Sequence, residues 1–203
     1  MKILIATNNP RKVDRYKFLF DDYDVEFLTP TELNIEPKEV EEGNDIQVNA
    51  RNKALAYRGK TNLPILGNDS AFTIHGEKHE PAQVKRAALN GKPEHEMSQQ
   101  EIAAAMTEYY QGIVKKNGGS VRATWTDCYV LIFPDGSEKS ICAERHVTMG
   151  KVKEPIEPYW PLRSMYTVDA TGKYPADQSE EEVKIELAPI TNALVELLEL
   201  PKK

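Results

Sequence analysis

Met1-Lys2-Ile3-Leu4-Ile5-Ala6-Thr7-Asn8-Asn9-Pro10-Arg11-Lys12 is the stretch that decides the fold class. Ile3 to Ala6 is a short, unbroken apolar run, the pattern of a buried strand. Asn9 follows where a helix N-cap belongs, and Pro10 takes the first helical position, where its missing N–H costs nothing. Val13, Tyr16, Leu19 and Phe20 then recur at helical spacing, and Tyr23 to Leu28 reads as a second strand. Strand, tight loop, helix, strand is the opening of a parallel sheet.

The rest of the chain continues in kind. Asn44 or Asp45 caps a second helix that carries Ile46, Ala50, Ala54 and Tyr57 on one face and ends near Gly59. Leu63 to Gly67 reads as a short apolar strand running into Asn68-Asp69-Ser70. Ser98 with Glu101 forms a capping box; the helix behind it presents Ile102, Met106, Tyr109 and Ile113 and stops at Gly118-Gly119. Val121 to Phe133 and Ser137 to Val147 flank Pro134-Asp135-Gly136 as a long hairpin. A last helix is expected from about Ile190 to Leu200, on the spacing of Leu194, Leu197 and Leu198. The fold class is α/β with a mixed sheet.

The chain has 203 residues, 40% hydrophobic and 29% charged, which suits one domain or one domain with a second lobe. No apolar run approaches the ~20 residues of a spanning helix, and the N-terminal apolar core is too short for a signal peptide. No membrane association and a cytoplasmic location are therefore expected. Lys plus Arg is 26 against Asp plus Glu at 32, a net charge of -6. That balance argues against a nucleic-acid polymer as partner, because such affinity comes mostly from basic residues on phosphates. A small phosphorylated ligand remains compatible, since a local lysine and a divalent cation offset the field. Cys128 and Cys142 form no CxxC and read as two reduced thiols, placed almost symmetrically about the hairpin turn. His75, His79, His95 and His146 show no metal-site spacing.

Three constellations carry chemistry. Thr7-Asn8-Asn9-Pro10-Arg11-Lys12 lies between a strand and a helix N-terminus, where backbone N–H groups and the helix dipole favour an anion; a capped helix with a solvated lysine is the plain alternative. Glu39-Val40-Glu41-Glu42-Gly43 precedes a helix whose Asn49 and Lys53 share a face. Such paired acids suit Mg²⁺, or form a solvated loop. Gly67-Asn68-Asp69-Ser70 sits at the carboxyl end of a strand, where α/β sheets place ligands. A carboxylate there can hold a metal or take a proton from water, while the same residues are also ordinary turn chemistry. Together they are the equipment for metal-assisted hydrolysis of a phosphoanhydride.

Ala6-Thr7-Asn8-Asn9-Pro10-Arg11-Lys12 resembles the phosphate loop, A-T-G-N-x-x-K, of the inosine triphosphate pyrophosphatase family (ITPase-like, XTP/dITP diphosphatases). Glu41-Glu42-Gly43, Asn49-Ala50 and Lys53-Ala54 fall at its E-x-G…N-A-x-x-K-A spacing, and Leu63 to Ser70 is similar to its L-P-x-x-A-D-D-S. The resemblance implies a single domain over residues 1–203, two-lobed around a long mixed sheet flanked by helices, and a homodimer. It implies a Mg²⁺-dependent enzyme cleaving a nucleoside triphosphate substrate, commonly a deaminated purine nucleotide such as ITP, dITP or XTP, to monophosphate and pyrophosphate. Carried over, Thr7, Asn8, Asn9 and Lys12 hold the triphosphate. Glu41 and Asp69 organise the metal, with Asp69 also the base for water. Lys53 and Ser70 contact the ligand, and Lys184 matches a lysine near the family's S-H-R triplet.

The chain departs from the pattern at three places. Asn68 replaces the first aspartate of the D-D pair. Tyr159 to Tyr166 stands where the family has G-F-G-Y-D-P, and Ala188-Pro189-Ile190 where it has S-H-R. Trp160, Arg163 and Tyr166 are alternative residues for gripping a base, or for packing a loop. These departures keep two rivals open: a nucleotide-binding or sensor protein that has lost catalysis, and a scaffold that binds nothing phosphorylated.

Overall fold

The computed structural model describes residues 1–7, 9–36, 38, 40–78 and 80–201. Its strands are β1 (Lys2–Ile5), β2 (Glu26–Leu28), β3 (Ile65–Ile74), β4 (Val121–Ile132), β5 (Glu138–Met149) and β6 (Tyr166–Val168). Its α-helices are α1 (Pro10–Leu19), α2 (Ile46–Leu55), α3 (Arg86–Leu89), α4 (Gln99–Lys116) and α5 (Glu180–Leu198). The sheet order is β2-β1-β3-β4-β5-β6. β1 pairs in parallel with β2 and with β3, and β5 pairs antiparallel with β6, so the sheet is mixed as expected. No described helix is long and apolar enough to cross a membrane.

The chain divides into two compact units: residues 1–70, 126–144 and 187–203 form the first, and residues 71–125 and 145–186 the second. In the first, Leu4, Ala50, Ala54, Tyr57, Ile65, Val130 and Ile132 make one apolar cluster. In the second, Phe72, Ile102, Met106, Tyr110, Val114, Val147, Met149 and Tyr166 belong to another.

The opening of the chain folds as its sequence dictates. The Asn9 side chain accepts from the Arg11 N–H at 3.1 Å, and Pro10 begins α1. Asp45, rather than Asn44, caps α2 by accepting from the N–H groups of Gln47 and Val48 at 2.9 and 3.1 Å. The capping box of α4 has both its bonds, and Gly118 and Gly119 end the helix at φ of 76° and 95°, a region only glycine enters freely.

Four expectations need correction. β3 does not stop at Gly67 but runs to Ile74, so Asn68, Asp69 and Ser70 lie within a strand and not in a turn; the neighbouring strand β4 and side-chain hydrogen bonds to Lys12, Asn49, Lys53 and Asp127 override their turn chemistry. α4 buries Tyr110 and Val114, while Tyr109 and Ile113 are only half-buried. α5 begins at Glu180, ten residues before the expected start, with Pro189 inside it. Ser179 and Glu182 cap that start: the Ser179 N–H donates to Glu182 Oε2 at 2.9 Å and the Glu182 N–H to Ser179 Oγ at 3.3 Å. Finally, Cys128 and Cys142 are joined in a disulfide, not two free thiols. Phe133 and Ser137 face each other beside the turn, and the same symmetry about position 135 sets the two cysteines opposite one another on β4 and β5.

Candidate functional site

The site belongs to the first unit, and its geometry follows from one glycine. β3 passes α2 so closely that a Cβ on Gly67 would lie 1.9 Å from the Ala50 carbonyl oxygen and 3.1 Å from Ala54 Cβ. Ala50 and Ala54, one turn apart, form the flat face that permits this approach. Asn49 and Lys53 each precede one of those alanines and therefore border the same contact, beside the residues that follow Gly67.

Asp69 is the centre. Its Oδ2 accepts from Asn49 Nδ2 and its Oδ1 from Lys53 Nζ, both at 2.8 Å. Lys53 also holds Glu42 Oε1 at 2.7 Å, so one ammonium joins two carboxylates. Asn49 does more than touch Asp69. Its Oδ1 accepts from the Gly43 N–H at 2.8 Å and its Nδ2 donates to the Gly43 carbonyl at 2.9 Å, which pins the acidic segment to α2. Burial lowers the Lys53 pKa, but the hydrogen bonds to Asp69 and Glu42 outweigh it, and the net shift is upward.

Lys12, from the first turn of α1, donates to Asn68 Oδ1 at 2.8 Å. The other end of that amide donates to the Cys128 carbonyl at 3.1 Å and the Asp69 carbonyl at 3.3 Å. Burial, and then the neighbouring charges of Lys53 and Arg15, push the Lys12 ammonium down from 10.5 to about 8, against the pull of Asp127 and Asp69.

Thr7 accepts from the Asn9 N–H at 3.2 Å, which shapes the loop before α1. Ser70 donates to Asp127 Oδ1 at 2.7 Å, which ties β3 to β4 beside Asp69. Asn8 lies outside the described residues. Glu41 is exposed on the segment that Gly43 anchors, and it is Glu42 that Lys53 engages. Lys184 is exposed on α5 in the second unit, whereas the residues above belong to the first. Tyr166 is 3% exposed and packs its ring near Phe72 in the second unit's core, which removes it from the residues free to grip a base.

Two members of the site escaped the sequence reading. Asp127 is 1% exposed on β4 and lies 3.8 Å from Arg15 Nη2. Arg15 is one helical turn beyond Lys12 on α1, and the carboxylate opposite helps to hold its guanidinium protonated against burial. Asp127 has a legible signal, the lone acid between Val121 and Ile132, just before the apolar run Cys128 to Ile132, since an acid is almost never fully buried without a partner.

Among the described residues no group of three or more His, Cys, Asp or Glu side chains is gathered as a metal site. A magnesium ion does not require one: it commonly takes one or two carboxylates, with waters and substrate phosphates completing its shell. The hard oxygens of Asp69 and the neighbouring acidic segment fit that demand. The Lys53 ammonium held between Asp69 and Glu42 shows that the carboxylates already converge on a cation.

The chain is similar to proteins named dITP/XTP pyrophosphatase. One from Gluconobacter oxydans is 26% identical over 190 residues, covering 89% of this chain and 82% of that protein. One from Ruegeria pomeroyi is 30% identical over 142 residues, covering 68% and 65%. A Bradyrhizobium protein is 39% identical over 75 residues, but the match covers only 34% of its length, and one from Thermoanaerobacter pseudethanolicus is matched over 41% of its length. Among solved structures, the Staphylococcus aureus Ham1 protein superposes with a TM-score of 0.70 at 23% identity, over 98% of both chains. A HAM1 protein from Coxiella burnetii does so with 0.70 at 18%, again over 98% of both. Those two likenesses establish the α/β fold. The Ham1 family model matches residues 3–157, a span that holds Lys12, Glu42, Asn49, Lys53, Asn68, Asp69 and Asp127, and the chain belongs to the Ham1 family, the ITPase-like family that its motifs resemble.

Proposed function

We propose that the protein is a nucleoside triphosphate pyrophosphatase, hydrolysing ribo- or deoxynucleoside triphosphates to the monophosphate and pyrophosphate. Its substrate class is purine or deaminated purine nucleotides such as ITP, dITP and XTP. One observation carries this reading: three separate motifs meet in a single hydrogen-bonded cluster. Lys12 reaches Asn68, and Asp69 in the same strand binds both Asn49 and Lys53. The names of the Gluconobacter and Ruegeria relatives support the same chemistry.

In the mechanism, the loop from Thr7 to Lys12 and the N-terminus of α1 receive the polyphosphate, because the positive end of the helix dipole and the Lys12 ammonium favour an anion there. Asp69 has about four lone-pair sites, and Asn49 and Lys53 use two; the others are available to orient a water. That water's oxygen attacks the α-phosphorus, the bond from the α-phosphorus to the bridging oxygen breaks, and the water's proton passes to Asp69. Lys12 and Lys53 stabilise the charge that develops on the departing pyrophosphate. Asp69 and Glu41 would hold Mg²⁺, which when bound supplies electrophilic assistance to the phosphoryl oxygens. A homodimer, by resemblance, and the cytoplasmic location expected from the sequence belong to the same reading.

The reading is tested with a panel of ribo- and deoxynucleoside triphosphates, with and without magnesium, scored separately for pyrophosphate and monophosphate. Equimolar release of the two is expected, and Asp69→Asn or Lys12→Ala abolishes it without loss of the cooperative melt. Unchanged turnover in either variant refutes the assigned roles. Nucleotide binding without pyrophosphate release would favour the non-catalytic alternative that Asn68 motivates.

A further inference from the structure

We infer that Asn68 is a positioning residue: its neutral amide fixes Lys12 while leaving the lysine's charge for the ligand. The inference rests on the pyrophosphatase reading for the nature of that ligand, an anionic phosphate chain. It opposes the simpler view of Asn68 as an aspartate that lost a charge.

The amide is used at both ends. Nδ2 faces two backbone carbonyls, Cys128 at 3.1 Å and Asp69 at 3.3 Å, which fixes Oδ1 toward Lys12 Nζ at 2.8 Å. The side chain is buried at 7% exposure, so water cannot replace these partners. An aspartate would put a carboxylate oxygen against both carbonyls, acceptor against acceptor. Its other oxygen would form an ion pair with Lys12.

That ion pair is the second reason for an amide. The two lysines near Asp69 are held in opposite ways. Lys53 lies between two carboxylates, Asp69 and Glu42, at 2.8 and 2.7 Å. Lys12 is anchored by a neutral oxygen. Lys53 is therefore electrically compensated by its contacts, and Lys12 is held in place uncompensated by its own. A phosphate chain entering the loop meets Lys12 as a fixed, unspent charge, with its side-chain entropy already surrendered. An aspartate at position 68 would compete with the phosphate for the same ammonium.

The two views predict opposite signs for Asn68→Asp. Binding of inorganic pyrophosphate is measured by calorimetry, with and without magnesium, for the wild type, Asn68→Asp, Asn68→Ala, Lys12→Ala and the Lys12→Ala/Asn68→Asp double variant. KM and kcat are taken alongside. Asn68→Asp is expected to weaken pyrophosphate about tenfold, because its carboxylate neutralises the lysine that the phosphates would meet. Asn68→Ala, which loses the anchor but adds no charge, falls between it and the wild type. KM rises more than kcat falls. In the Lys12→Ala background the aspartate changes affinity by less than about twofold, because its effect runs through the lysine.

Asn68→Asp binding as tightly as the wild type, or tighter, overturns the inference. So does a full effect of the aspartate when Lys12 is absent, which would mark a purely structural role. If Asn68→Asp does not fold, Asn68→Ala decides: affinity equal to the wild type overturns the proposal. Failure of the wild type to bind pyrophosphate in either buffer overturns it as well. A wild type that binds pyrophosphate in the expected order of variants, yet releases none from any nucleotide, sinks the pyrophosphatase reading and leaves the Asn68 assignment standing.

Discussion

Gly67→Ala is the substitution that tests how the site is built. The new methyl would lie 1.9 Å from the Ala50 carbonyl oxygen and 3.0 Å from its carbonyl carbon. An unstrained carbon-to-oxygen contact needs about 3.3 Å, so α2 and β3 must separate by roughly 1.4 Å. Both obstacles are backbone, so no flexible side chain can move aside, and the cost belongs at the upper end of overpacking, about 3 kcal/mol. For a chain of this length that lowers Tm by about 6–12 °C. The same displacement acts on function, because the Asn49 and Lys53 contacts to Asp69 are 2.8 Å long. Stretched by that amount they cease to be hydrogen bonds, and misplacement of about 1 Å in a catalytic group costs on the order of 100-fold in rate. Scanning calorimetry and pyrophosphate release give the two readouts. Gly112→Ala in α4 is the control, since its new methyl meets nothing within 4 Å, and it is expected to raise stability by about 0.5–1 kcal/mol. A Gly67→Ala protein that melts within about 2 °C of the wild type would refute the reasoning, since so small a shift is under about 1 kcal/mol.

The depressed pKa of Lys12 gives a pH signature with two opposite signs. Protonated Lys12 is the phosphate-binding form, so pyrophosphate affinity falls as pH rises through about 8. Between about 8 and 10.5 the unfolded chain keeps a proton that the folded one has released, so this group makes stability rise with pH over the window in which affinity falls. Lys12→Arg moves the affinity limb to higher pH; an unmoved limb in that variant would show that another group sets it. Cys142→Ser opens the β4–β5 hairpin's disulfide, which closes a sequence separation of 14 residues, and is expected to cost about 2–4 kcal/mol in a thermal melt. Alkylation of both cysteines in the native, unreduced protein would contradict the bridge.

The opening of the fold was legible because each local signal agreed with its neighbour. The apolar run Ile3 to Ala6, the Asn9 cap and Pro10 all specify one strand–loop–helix, and the structure has it. β3 was cut short for a physical reason. Asn68, Asp69 and Ser70 are turn formers by intrinsic preference, and here the neighbouring strand β4, with hydrogen bonds to Lys12, Asn49, Lys53 and Asp127, satisfies them inside a sheet. α5 was hidden by Pro189, which ordinary reading places at a helix boundary, although Ser179 with Glu182 was available as a capping signal. Arg15 and Asp127 carry no motif, and only the fold brings a helix turn and a strand interior together.

Asn49 explains why an acidic segment with no helix or strand of its own still belongs to the site. Residues 40–45 form no regular element among those described, and a loop held only by chain continuity would cost entropy to place against a ligand. The Asn49 amide offers about four hydrogen-bonding sites, and bonds to the Gly43 N–H, the Gly43 carbonyl and Asp69 Oδ2 draw on both its oxygen and its nitrogen. One buried side chain thus links the segment, α2 and β3. Gly43 is fixed, while Glu41, two residues before it, stays exposed. An anchor beside an exposed carboxylate suits a cation that arrives with its substrate: the segment is held near Asp69 beforehand, and among the described residues Glu41 has no ion-pair partner, whereas Glu42 is engaged by Lys53.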